Sequence, residues 1–115
     1  MGQVSLALDL SNGTECVVKR LRADALNATP DSLRHEFELL ARVRHPLVVA
    51  VYELGFEISG APYLTMEYVP GVPADKTGRL WDTESVCFVG AQVAQGLEAL
   101  HAAGVVHGDL KPSNL

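Results

Sequence analysis

The stretch VPGVPADKTG at residues 69–78 constrains the fold more than any other. Two prolines and two glycines inside ten residues interrupt helix and strand alike. Before the break the chain reads as strands with one helical segment between them, and after it come a long helix and a polar loop. This order predicts an α+β chain in which a sheet carrying one helix meets the start of a helical unit at a cleft.

Residues 3–10 alternate as a strand does, SNG at 11–13 signals a turn, and residues 14–21 read as the returning strand of an antiparallel hairpin. In that strand Glu15, Val17, Lys19 and Leu21 share one face, while Cys16, Val18 and Arg20 share the other. Lys19 therefore sits beside apolar neighbours on a face expected to be covered. Thr29, Pro30 and Asp31 supply a capping hydroxyl, a first-turn proline and an acid, so a helix is expected to run to about Arg44 and stop before Pro46. Its apolar stripe is Leu33, Phe37, Leu39, Leu40 and Val43, with Glu36 near the middle. A carboxylate facing a core needs a cation, and Lys19 is the expected partner. Residues 48–57 and 61–69 read as two further strands joined at ISG, and residues 69–78 as an irregular linker. A long helix is expected over residues 83–102, capped by Asp82, ended by Gly104 and striped by Val86, Val89, Val93, Leu97 and Leu100.

Bulk properties exclude more than they assign. The chain has 115 residues and a net charge of −5, which argues against nucleic acid as a partner. No apolar run approaches the roughly 18 residues a membrane span needs. Cys16 and Cys87 fit neither a disulfide framework nor a zinc spacing and read as reduced thiols, which points to the cytoplasm. The histidines at 35, 45, 101 and 107 lack the spacing of a zinc site. Both ends read as cuts: the chain opens directly on strand alternation and stops on HGDLKPSNL.

That closing stretch holds the chemistry. Asp109 can act as a base, Asn114 offers a neutral oxygen to a hard cation, and Lys111 is a mobile positive charge. Phosphoryl transfer needs such a set: a group to orient a hydroxyl, oxygen ligands for magnesium, and cations over the moving phosphate.

GVVHGDLKPSNL resembles the catalytic loop of the eukaryotic-type (Hanks-type) serine/threonine protein kinases, usually H-R-D-L-K-P-E-N, and the likeness extends over the whole chain. MGQV resembles the end of the glycine-rich loop, with Gly2 as its last glycine and Val4 as the valine above adenine. CVVK resembles the V-A-I-K strand, making Lys19 the lysine on the α- and β-phosphates and Val17 the residue over adenine. HEFELLARVRHPLVV resembles the αC helix and the turn after it, with Glu36 as its glutamate, the position the helical stripe also singles out. YLTMEYVPG resembles the strand entering the hinge, with Met66 as gatekeeper and the backbones of Glu67 and Val69 at adenine.

The resemblance implies a protein-kinase-like fold, truncated. Residues 1–69 would form the N-lobe, an antiparallel β-sheet with the αC helix, and the hinge; residues 70–115 would form the first helices of the C-lobe. It implies ATP and Mg2+ as cofactors and a protein substrate with Ser or Thr as acceptor, the choice carried by Lys111. Asp109 would orient the hydroxyl, Lys111 would neutralise the γ-phosphate and Asn114 would bind magnesium. Three departures stand out. Gly108 replaces the arginine that in the family pairs with a phosphorylated activation loop, Val17 replaces a small alanine, and the stretch ends before D-F-G. Two alternatives stay open. A pseudokinase module would need none of Lys19, Glu36, Asp109 and Asn114. An aminoglycoside- or choline-type phosphotransferase suits Gly108 but carries histidine at the place of Lys111.

Overall fold

The computed structural model describes residues 3–21 and 29–115; Gly2, expected at the end of the glycine-rich loop, lies outside them. Strands β1 (Val4–Asp9) and β2 (Thr14–Arg20) form the first hairpin, and β3 (Val51–Phe56) and β4 (Pro62–Glu67) form the second. They make one four-stranded sheet in the order β1-β2-β4-β3, antiparallel throughout. Side chains build the first turn. The Asp9 carboxylate accepts from the Ser11 amide at 2.8 Å and from Asn12 Nδ2 at 3.0 Å, while Asn12 Oδ1 accepts from the Thr14 amide at 2.9 Å. Gly13 completes the turn at φ +71°, a left-handed conformation that glycine adopts without strain.

Helix α1 (Pro30–Arg42) starts where expected, with Thr29 Oγ1 accepting from the Ser32 amide at 3.2 Å. It ends two residues short of Arg44, because Val43 turns out of the helix and donates to the Leu40 carbonyl. The expected stripe faces inward: Leu33 and Val43 are buried, and Phe37, Leu39 and Leu40 are half-buried. The helix lies on the sheet face that holds Leu54 and Phe56, and the Arg34 guanidinium stands 5.8 Å from the Phe56 ring centre.

Two expectations are corrected. The strand expected from residue 48 begins at Val51, because residues 45–48 form a tight turn in which the Val48 amide donates to the His45 carbonyl and the Leu47 amide to His45 Nδ1. Pro46 has no amide hydrogen for a ladder, which favours the turn. The linker is not irregular throughout. Its second half folds into a helical turn, α2 (Ala74–Thr77), and a 3-10 turn at Gly78–Leu80. Ala74 is buried and donates its amide to the Leu115 carbonyl at 3.0 Å, so a tertiary contact orders this half.

Helix α3 (Thr83–Ala102) matches its expected bounds, with Asp82 accepting from the Ser85 amide at 2.8 Å and Gly104 at φ +79° after its end. Its stripe is covered progressively toward the C-terminal end: Val86 is 52% exposed, Val89, Val93 and Leu97 are half-buried, and Leu100 is buried. A cluster of Val43, Leu100 and Val105, flanked by Leu39, Leu40, Val48 and Leu97, bonds the end of α1 to the end of α3. Gly96 makes this approach possible: a Cβ there would stand 3.2 Å from the Leu47 carbonyl oxygen. Among the described residues no helix is long and apolar enough to cross a membrane.

Candidate active site

The space between the sheet and α3 is a cavity of about 850 Å3. Each wall delivers chemistry from a different element. Strand register places Lys19 of β2 opposite Val4 of β1 and Leu64 of β4, so the three share one sheet face. Met66, two residues beyond Leu64, extends that face. Glu36 enters from α1, and His107, Asp109 and Asn114 from the loop after α3. Val4, Lys19, Glu36, Met66, Asp109 and Asn114 all line the cavity.

The other expected residues lie elsewhere. Val17 is on the Lys19 face, paired with Met66 and Leu6, but does not line the cavity; nor do Glu67, Val69 and Lys111. Lys111 reaches the site through a partner, its Nζ 2.8 Å from Asp109 Oδ2.

The ion pair expected between Lys19 and Glu36 is not formed: the two face one cavity, but no contact within 4.0 Å joins them. Glu36 sits at the mouth of the space and is exposed to solvent, so its carboxylate is hydrated and needs no cation.

The loop positions Asp109 tightly. His107 Nδ1 accepts from the Asp109 amide at 3.3 Å, and Asn114 Nδ2 donates to the Asp109 carbonyl at 2.7 Å and to Oδ2 at 3.3 Å. Residues 112–114 form a 3-10 turn that carries Asn114 back over the aspartate. The hydrogen bond from Lys111 holds the Asp109 pKa below the ordinary carboxylate value; desolvation opposes it, and Asn114 and the charges of Lys111 and His107 add to the lowering. At neutral pH Asp109 is thus an ionised acceptor. Asn114 spends its amide hydrogens on Asp109, which leaves its oxygen for a hard cation; this donor set fits magnesium.

Sequence reasoning missed several lining residues, among them Leu54, Leu64 and Gln92. Leu64 was within reach once the strand pairing was known, because it lies opposite Lys19. Gln92 carries no such signal, since helix α3 alone does not say which neighbour it meets.

A sheet with one packed helix above a second helix, with a lysine, two carboxylates and an amide around the gap, defines a kinase-type chain. The protein kinase domain model matches residues 1–115, and the chain belongs to that family. It is 36% identical to a probable serine/threonine-protein kinase of Streptomyces coelicolor and 35% identical to the serine/threonine-protein kinase PknB of Mycobacterium tuberculosis, in each case over the whole of this chain. It spans 18% and 20% of the length of those relatives. Among solved structures, the kinase domain of Mycobacterium tuberculosis PknI superposes with a TM-score of 0.80 at 27% identity, covering 99% of this chain and 48% of that one. A variant of the same domain gives a TM-score of 0.86 at 26% identity, covering 99% and 49%. The chain therefore spans about half of the solved kinase domains it matches.

Proposed function

We propose that these residues are the ATP-binding half of a serine/threonine protein kinase domain, in which residues 1–69 form the N-lobe and hinge and residues 70–115 open the C-lobe. One observation carries the reading: Lys19 of β2, Glu36 of α1, and Asp109 and Asn114 of the loop after α3, from three separate parts of the chain, line a single cavity. Lys19 binds the α- and β-phosphates, and the apolar face of Val4 and Met66 takes the base, with Val17 and the backbones of Glu67 and Val69 at its edge. Asp109 orients the acceptor hydroxyl, and its lowered pKa keeps it an acceptor at neutral pH. Lys111, held against Asp109, neutralises charge on the transferring phosphate. Asn114 would hold Mg2+, which when bound offsets the negative charge of the phosphates.

In protein kinases the lysine–glutamate pair is in place during transfer. Here Lys19 and Glu36 are apart, so α1 has to approach β2 before transfer. The two free thiols suit a reducing compartment, the cytoplasm. The test is transfer of labelled phosphate from ATP to serine and threonine of an acceptor protein by the full-length protein. Asp109→Asn is expected to lower kcat by roughly 10²- to 10⁴-fold with little change in nucleotide binding, and Lys19→Met to weaken both. Unchanged transfer in Asp109→Asn sinks the assignment.

A further inference from the structure

Glu67 closes strand β4 with its backbone and its side chain together. Its amide donates to the Ala50 carbonyl at 2.8 Å, and its Oε2 accepts from the Ala50 amide at 3.2 Å. Ala50 thus gives both of its backbone groups to one residue. This closure sits where the β3–β4 register shifts: Val51 opposes Met66, and the next pair is Glu53 with Thr65, which leaves Tyr52 unmatched. A bulge at a strand entry is a place where pairing can slip, and a slip of one residue sends each side chain to the other face. Val49, Val51 and Met66 all line the cavity, so their placement decides its shape. The Glu67 side chain itself does not line it.

We propose that the Glu67 carboxylate is a positioning residue for nucleotide binding: its hold on the Ala50 amide fixes the entry of β3, and through it the Val51 and Met66 side chains on the apolar wall of the cleft. The proposal rests on the kinase reading of that cleft. It concerns the side chain, whereas the family resemblance involves only the backbone at this position.

The test uses the full-length protein with Glu67→Ala and Glu67→Gln, reading the hydrogen exchange of the Ala50 amide and the KM for ATP against kcat. Glu67→Ala removes the acceptor. It is expected to speed Ala50 exchange and to raise the KM for ATP roughly three- to tenfold, the size of one hydrogen bond shared with water, while kcat moves far less. Glu67→Gln keeps an oxygen at the same reach and is expected to restore both readings. Normal Ala50 exchange in Glu67→Ala, an unchanged KM, or Gln behaving as Ala overturns the proposal. If the unsubstituted protein takes up no ATP, the kinase reading fails and the nucleotide role fails with it. Normal ATP uptake with unaltered Ala50 exchange rejects the Glu67 closure alone.

Discussion

Gly108 is the residue whose identity departs most from the family pattern, and the backbone supplies a reason for it. Its φ is +71°, and a Cβ there would find only the Val106 carbonyl oxygen, 4.0 Å away. Space is therefore available and the torsion alone is selective. The letter that suggested a small-molecule phosphotransferase answers a local conformational demand next to Asp109. An alanine or an arginine in this region costs about 1–2 kcal/mol, while asparagine is better tolerated. Gly108→Ala and Gly108→Arg are thus expected to destabilise the full-length protein by similar amounts in urea denaturation, and Gly108→Asn by less. Much greater damage from arginine than from alanine would mean that space, and not torsion, selects the glycine. The same residue shows what single letters reveal. Asp109 and Asn114 could be picked out because their spacing lies within one loop, whereas the φ of Gly108 is a product of how that loop closes.

Elements were readable wherever their signals were local. Thr29-Pro30-Asp31 and Asp82 mark helix starts whose caps the structure forms, and SNG and ISG mark the two hairpin turns. Signals that depend on distant partners were not readable. Helix α2 is ordered by Leu115, and the Lys19–Glu36 pair depends on a helix-to-sheet distance that no periodicity encodes. Gly96 belongs to this second kind. It and Gly90 stand in the same helix, but a Cβ at 90 meets nothing within 4 Å, whereas one at 96 meets the Leu47 carbonyl oxygen. Leu47 belongs to the hydrogen-bonded turn after α1 and cannot yield easily. Gly90→Ala should therefore gain the helix propensity of alanine, about 1 kcal/mol, and Gly96→Ala should lose that gain to the close contact. Urea denaturation of the two variants of the full-length protein measures the difference, and equal stabilisation by both would show that the α3–turn approach is looser than described.

At the scale of the whole molecule, the two parts are joined by little buried surface. No described side chain is below 2% exposure, and the cluster that ties α1 to α3 has only Val43, Leu100 and Val105 buried. Meanwhile Phe88 is 64% and Val106 78% exposed, on and just beyond the helix whose stripe was expected to be covered. An apolar surface of this kind, left to water, favours association. The transfer chemistry is likewise shared: in the family a D-F-G aspartate holds magnesium together with the catalytic-loop asparagine, and these 115 residues contain no such motif. The 115-residue chain expressed alone is therefore expected to transfer no phosphate above background and to self-associate as its concentration rises. Phosphate transfer and sedimentation velocity measure the two outcomes. Phe88→Lys, at a residue outside the cavity, should reduce the association without restoring transfer, because it removes apolar surface and adds no magnesium ligand. A monomeric chain that turns over ATP on its own would show instead that the groups around the 850 Å3 cavity suffice for the reaction.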